Sequence, residues 1–258
     1  MKLHHKLIQI FYYPAKPIIS FFYKKKQFRI MMYHDINDDQ LINFKKQLIE
    51  LRKNWHFIKP EEFDDISEIK KEKKNILLLT FDDGFKSSVK IANILKELNI
   101  FAIFFIVNDF IGKKNYMNLN DLQLLISNGH TIGAHTKSHK MLSKIKNNNE
   151  LEEEIYGTTK DLSEKLNINI DHFAFTFGNI NAFDRTSAKI AKLKYKYVFS
   201  GIRGNNFNLF GTDVVYNRDN IEPNFGSSLI DFLLKGFTDV KFASDNAKVT
   251  NWVKNKNS

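Results

Sequence analysis

Short apolar runs alternate with amphipathic stretches along most of this chain. Arg29–Tyr33 (RIMMY), Ile76–Phe81 (ILLLTF) and Phe101–Val107 (FAIFFIV) are nearly continuous apolar runs of strand length. Such runs mark strands covered on both faces. Residues 131–134, 172–177 and 196–199 read as further strands. Between them, apolar residues recur at helical spacing. Residues 38–53 carry Leu41, Ile42, Phe44, Leu48, Ile49 and Leu51, and residues 86–98 carry Val89, Ile91, Ile94, Leu95 and Leu98. Helices are also predicted at 120–128, ended by Gly129, at 149–166 as one long helix, and at 184–193. Strands and helices alternating at this size predict a parallel sheet in a single α/β domain.

Composition and charge narrow this picture. The 258 residues are 43% hydrophobic, sufficient for a large core. There is no cysteine, which excludes disulfides, thiolate metal sites and a cysteine nucleophile. No apolar run reaches the roughly 18 residues of a transmembrane helix. The net charge is +10, but residues 1–29 hold seven bases and no acid, leaving 32 bases against 29 acids elsewhere. That near balance argues against a nucleic-acid partner.

Residues 1–28 form a distinct basic, aromatic segment. Phe11, Tyr12, Tyr13, Phe21, Phe22 and Tyr23 stand among lysines, with Pro14, Lys16 and Pro17 between them. The segment lacks the unbroken apolar stretch and small-residue cleavage site of a secretory signal. It reads either as a segment lying on an anionic membrane surface or as an ordinary N-terminal helix and strand packed on the domain. The expected location is cytoplasmic, at the membrane periphery. Residues 29–240 are the expected main domain and 241–258 a C-terminal tail.

The candidate chemistry stands at strand ends. His34-Asp35 follows RIMMY, Asp82-Asp83-Gly84 follows ILLLTF, His135 follows Thr131–Ala134 with His139 four residues on, and Gly178 follows FAFTF. In a (β/α) barrel the carboxyl ends of the strands form one face, and active sites are built there. Two adjacent carboxylates disfavour joint ionisation unless a cation sits on one of them. His135 and His139 can face the same way if their segment turns helically. Two imidazoles and one carboxylate make three ligands with positions left open, the pattern of a hydrolytic metal site. The remaining carboxylate is then free to act as a base.

Thr80-Phe81-Asp82-Asp83-Gly84, followed by Gly129-His130-Thr131-Ile132-Gly133-Ala134-His135-Thr136-x-Ser138-His139, resembles the polysaccharide deacetylase family, the NodB-homology or carbohydrate esterase 4 group. The resemblance covers about residues 29–240. It implies a distorted (β/α) barrel that removes acetyl groups from sugars with a divalent metal, commonly zinc, with Co²⁺, Ni²⁺ or Mn²⁺ as alternatives. It implies Asp82 as base and Asp83, His135 and His139 as metal ligands.

Phe173-Ala174-Phe175-Thr176-Phe177-Gly178 resembles the family's third motif, with Thr176 in place of proline. The resemblance assigns the Phe177 N–H to the oxyanion. The motif's arginine is absent. Arg218, after Val214-Val215-Tyr216, stands either as its substitute or as a surface or ion-pairing arginine. The late Leu-x-His that supplies the acid in many relatives is also missing, because no histidine follows His172. Met32-Tyr33-His34-Asp35 resembles the early motif of the poly-N-acetylglucosamine deacetylase branch, which implies His34 as the general acid. His130 precedes its strand and is expected to be structural. Trp55 and Trp252 are expected to serve packing.

The implied substrate is an acetylated sugar, polysaccharide or glycan precursor, with amide and ester both open. The alternative is a carbohydrate-binding pseudoenzyme that keeps the metal and lacks turnover. No P-loop or Gly-x-Gly-x-x-Gly signature points to nucleotides.

Overall fold

In the computed structural model, residues 25–254 are described, apart from 210 and 212. The basic, aromatic N-terminal segment, read either as lying on a membrane surface or as packed on the domain, therefore lies almost wholly outside the described residues. Among the described residues, nine strands build one sheet: β1 (Phe28–Tyr33), β2 (Trp55–Phe57), β3 (Asn75–Phe81), β4 (Ala102–Ile106), β5 (Thr131–Ala134), β6 (His172–Ala174), β7 (Tyr197–Phe199), β8 (Val215–Tyr216) and β9 (Asp219–Asn220). All pairings are parallel, in the order β8-β7-β6-β5-β4-β3-β1-β9, with β2 beside the first part of β3. The two ends of this order, β8 and β9, are successive pieces of one segment. Residues 215–216 pair with β7 and residues 219–220 with β1, so the sheet curls into a distorted barrel joined through this segment.

The helices lie outside the sheet. They are α1 (Leu41–Leu51), α2 (Ile66–Lys71), α3 (Ser88–Glu97), α4 (Leu119–Ser127), α5 (Asn148–Glu152), α6 (Thr158–Leu166), α7 (Arg185–Lys194), α8 (Ser227–Leu234) and α9 (Ala243–Val253). Residues 243–253, set apart in the sequence as a C-terminal tail, form α9, whose Val249 and Val253 are buried in the same core. The long helix expected at 149–166 is interrupted by a π turn at Glu153–Gly157. The strand expected at 172–177 ends at Ala174, and the chain then turns through left-handed Phe177 and Gly178. No helix among the described residues is long and apolar enough to cross a membrane.

Strand alternation divides the core in two. Met31, Tyr33, Leu77, Leu79, Phe81, Phe104 and Val198 pack outward under the helices. Phe28, Ile30, Ile76, Leu78, Ile103, Phe105, Phe199 and Tyr216 fill the barrel, with Ile58 and Phe63. Side chains alternate faces along a strand, so the inward set continues from Leu78 to Thr80 and Asp82, and from Tyr216 to Arg218. The same parity carries Gly133 and His135 inward.

Gly133 has a packing reason. A Cβ there would stand 2.5 Å from Cδ1 of Phe105 and 3.1 Å from the His172 carbonyl oxygen. Phe105 is fully buried and cannot retreat. Gly133→Ala should therefore cost about 1–3 kcal/mol, the usual penalty of overpacking. Chemical denaturation reads this directly, and an unchanged midpoint would show that the Phe105 ring has room to move.

Candidate active site

The barrel's carboxyl end gathers the strand-end residues. Tyr33 pairs with Phe81 in register, and the Asp82 N–H donates to the Tyr33 carbonyl at 2.9 Å. His34 and Asp82 are thus neighbours across β1 and β3. His34 is exposed, whereas Asp82 is buried at 2% exposure. The next residue, Asp83, adopts a left-handed backbone with φ +72°, followed by Gly84 at φ +78°. This turn breaks the strand's alternation and returns the second carboxylate to the same side. One imidazole therefore meets both acids: His135 Nε2 lies 3.7 Å from Asp82 Oδ2 and 3.4 Å from Asp83 Oδ1.

His139 reaches the same point without a helix. Residues 135–141 form a loop in which Thr136 and His139 have φ of +61° and +64°. The His139 N–H donates to Thr136 Oγ1 at 3.0 Å, and His139 Nε2 ends 3.1 Å from Asp83 Oδ1. The helical turn that would let these histidines face the same way is replaced by this loop. Phe177, at φ +60°, sets its ring 4.8 Å from that of His139. Among described residues, non-glycine positive φ occurs only at these four positions and at Asn99, Asn115 and Asn167. Asparagine tolerates this conformation, but Thr, His and Phe are strained by on the order of 1 kcal/mol each. The strain is concentrated at the site.

The fit to a divalent ion is testable on the protein atoms. One ligand atom each from Asp83, His135 and His139 lies within 4.8 Å of the others. His135 Nδ1 sits 2.8 Å from the Ala174 carbonyl oxygen, which can only accept. Nδ1 must carry the hydrogen, leaving the Nε2 lone pair directed at the cluster. Asp83 Oδ1 is buried and has no hydrogen-bond donor. Three electron-pair donors converge on one point, an arrangement that a cation satisfies, and the residues fit the group.

Arg218 is not at the surface. It is fully buried, lies over the Phe105 ring at 5.1 Å, and gives Asp82 two hydrogen bonds of 2.6 and 2.8 Å. Its Nε donates to the Ser200 carbonyl at 2.9 Å, and Nη1 approaches Thr80 Oγ1 at 3.3 Å. Burial pushes the Asp82 carboxyl upward, but the Arg218 charge, followed by His135, outweighs it and holds Asp82 below the usual carboxylate range. Asp219, next in the chain, sits 3.0 Å from Arg203 and 3.5 Å from Arg29 on β1, which ties down the segment carrying Arg218.

The third loop is tied in by the residue that replaces proline. Thr176 Oγ1 donates to the Lys140 carbonyl at 2.7 Å, joining this loop to the one that carries His139. Gly178 approaches Gly201 closely, with a Cβ there only 2.4 Å from the Gly201 nitrogen. Phe177 is 53% exposed. His130 lies apart, at 4% exposure against the Phe104 ring, and burial pushes its pKa down to about 4. It is a neutral core residue.

Sequence reasoning missed Glu154. It is buried in the π turn and accepts hydrogen bonds from Ser138. The signal was an acid three residues after Leu151 and beside Ile155, on the buried stripe of a helix.

The polysaccharide deacetylase family profile matches residues 69–198. Comparison with curated proteins gives no match. Among solved structures, the chain is similar to the Streptococcus pyogenes deacetylase PplD in complex with acetate, with TM-score 0.68 and 22% identity over 81% of this chain and 98% of that one. It is similar to IcaB from Ammonifex degensii, with TM-score 0.68 and 20% identity over 80% and 97%. It also resembles a de-N-acetylase from Aggregatibacter actinomycetemcomitans, with TM-score 0.67 and 16% identity over 81% and 100%. At these identities the likeness speaks for the fold, while the profile speaks for descent: spanning half of the chain and both the Asp82-Asp83 and His135–His139 motifs, it shows that the protein belongs to the polysaccharide deacetylase family.

Proposed function

We propose that this protein hydrolyses the acetamido group of a sugar within an oligosaccharide or glycan precursor. The observation carrying this reading is the convergence of Asp83, His135 and His139 beside an Asp82 already paired with buried Arg218. Asp83, His135 and His139 would hold the divalent ion. Two imidazoles and a carboxylate suit zinc, with Co²⁺, Ni²⁺ or Mn²⁺ also accommodated. When bound, such an ion supplies Lewis acidity toward the acyl oxygen and a more acidic water.

The chain's own residues do the rest. Asp82 accepts the proton of the attacking water, because Arg218 keeps it ionised and fixes its direction. The Phe177 N–H donates to the oxyanion as the acyl carbon becomes tetrahedral. His34, beside Asp82 at the end of the neighbouring strand, protonates the departing amine. An acid and a base in different environments, one exposed and one buried against a guanidinium, suit this division of labour. Acetate release from N-acetylated sugars and oligomers, measured with and without added Zn²⁺, tests the reading. No release from any substrate by metal-loaded protein would leave the carbohydrate-binding pseudoenzyme instead.

His34→Ala should reduce amide hydrolysis by about 10²-fold, the lower end for a positioned proton donor, because water also reaches an exposed site. An activated acetate ester needs no proton on its leaving group and should be much less affected. Equal losses on both substrates would remove His34 from the mechanism.

A further inference from the structure

Glu154 is 3% exposed, and none of the chemistry above uses it. A buried carboxylate is costly unless its oxygens are satisfied. All of its partners come from one loop. Oε2 accepts the Ser138 N–H at 2.9 Å and Oε1 the Ser138 hydroxyl at 2.5 Å. Lys140 Nζ lies 3.3 Å from Oε1, and the Glu154 main-chain oxygen accepts the Lys137 N–H at 2.9 Å. Residues 137, 138 and 140 surround His139 and leave it to face Asp83.

That loop needs an external hold. Thr136 and His139 are both left-handed, and the bond between them, from the His139 N–H to Thr136 Oγ1, closes only the loop on itself. The Ser138 N–H is the last donor before the His139 peptide. Fixing it fixes the direction from which the imidazole leaves the backbone. Glu154 stands in the π turn at Glu153–Gly157, where the helix widens against the loop. Single π turns inside α-helices recur at functional positions.

We propose that Glu154 is a positioning residue for the metal centre: it holds Ser138, and thereby His139, in the orientation that binds the ion. The proposal rests on the reading of Asp83, His135 and His139 as ligands. Groups that orient a ligand from behind typically contribute 10–100-fold, as an order of magnitude, to metal affinity.

The test is a Zn²⁺ titration of metal-free protein by calorimetry, with Co²⁺ absorption as a second readout of coordination. Glu154→Ala should bind Zn²⁺ roughly 10–100-fold more weakly than the wild type while keeping its circular dichroism spectrum. Glu154→Gln should restore affinity to within about threefold, because its amide oxygen can take the Ser138 N–H and its NH₂ can donate to the Ser138 hydroxyl. If Glu154→Ala folds poorly, Ser138→Ala carries the test, removing one hydrogen bond without touching the helix. It should weaken binding severalfold and lower the thermal midpoint modestly, because buried Glu154 Oε1 then keeps only Lys140; wild-type Zn²⁺ affinity despite that lower midpoint overturns the proposal. A Glu154→Ala protein that melts earlier but binds Zn²⁺ like the wild type overturns the proposal, as does a Gln variant no better than Ala. His139→Ala is the control for the underlying reading. If that variant keeps wild-type affinity, the ligand assignment fails and the proposal falls with it; if it loses affinity while Glu154→Ala does not, only the positioning role fails.

Discussion

Asp82→Asn is expected to bind its metal ion normally and to lose roughly 10⁴-fold in acetate release, the upper end for a general base. The substitution keeps the side chain's size. It also keeps one oxygen to accept from Arg218, but replaces the other with an NH₂ that cannot take a proton from water and that faces a guanidinium N–H. Two hydrogen bonds of 2.6 and 2.8 Å therefore become one, within a site where Asp82 is 2% exposed. Metal content should be unaffected, because Asp83, His135 and His139 form the ligand cluster without Asp82. The comparison is steady-state acetate release beside elemental analysis on the same preparations. Turnover within a few-fold of the wild type would exclude Asp82 as the base, and loss of the metal would move Asp82 into the ligand set.

Much of this site was legible because strands have a period of two. Asp82 follows Thr80 and Leu78 on the inward face, and His135 follows Gly133. An acid or imidazole on that parity at a strand's carboxyl end must enter the barrel mouth. What could not be read was the geometry that depends on loops and on closure. The Asp82-Asp83 pair signals a turn, but only the left-handed backbone at Asp83 brings both carboxylates to one imidazole. His135 and His139 have helical spacing, yet they meet through a turn held by Thr136.

Longer-range features were harder still. The interruption of the helix at Glu153–Gly157 has no glycine or proline at its start to announce it, and the partner that explains it, Ser138, is 16 residues away. Thr176 reads as a defect when set beside a proline motif. Its hydroxyl in fact ties two site loops together, which no local pattern encodes. Strands of two residues, such as β8 and β9, carry almost no periodic signal, although they join the ends of the sheet.

Arg218 depends on that junction, and its removal should be the most damaging change to stability. The residue lies between β8 and β9, so its side chain reaches Asp82 only once the segment has bridged β7 and β1. Arg218→Ala would leave a buried carboxylate with no guanidinium, strip a donor from the Ser200 carbonyl, and uncover the Phe105 face. Breaking a buried pair from one side costs about 3–5 kcal/mol, because the remaining charge is uncompensated. Arg218→Lys should recover only part of this, since an ammonium cannot bridge both oxygens and bond Ser200 together. The Asp82→Ala/Arg218→Ala double variant distinguishes pairing from packing. With the charge gone as well, the double variant should be less destabilised than the sum of the single variants by a kcal/mol or more, about what residues in direct contact show. Urea unfolding of the metal-free proteins measures all four corners of this cycle. Strict additivity would mean that Arg218 stabilises the barrel through its packing over Phe105 and its bonds to Ser200 and Thr80, and that the Asp82–Arg218 pair contributes nothing to holding the base in place.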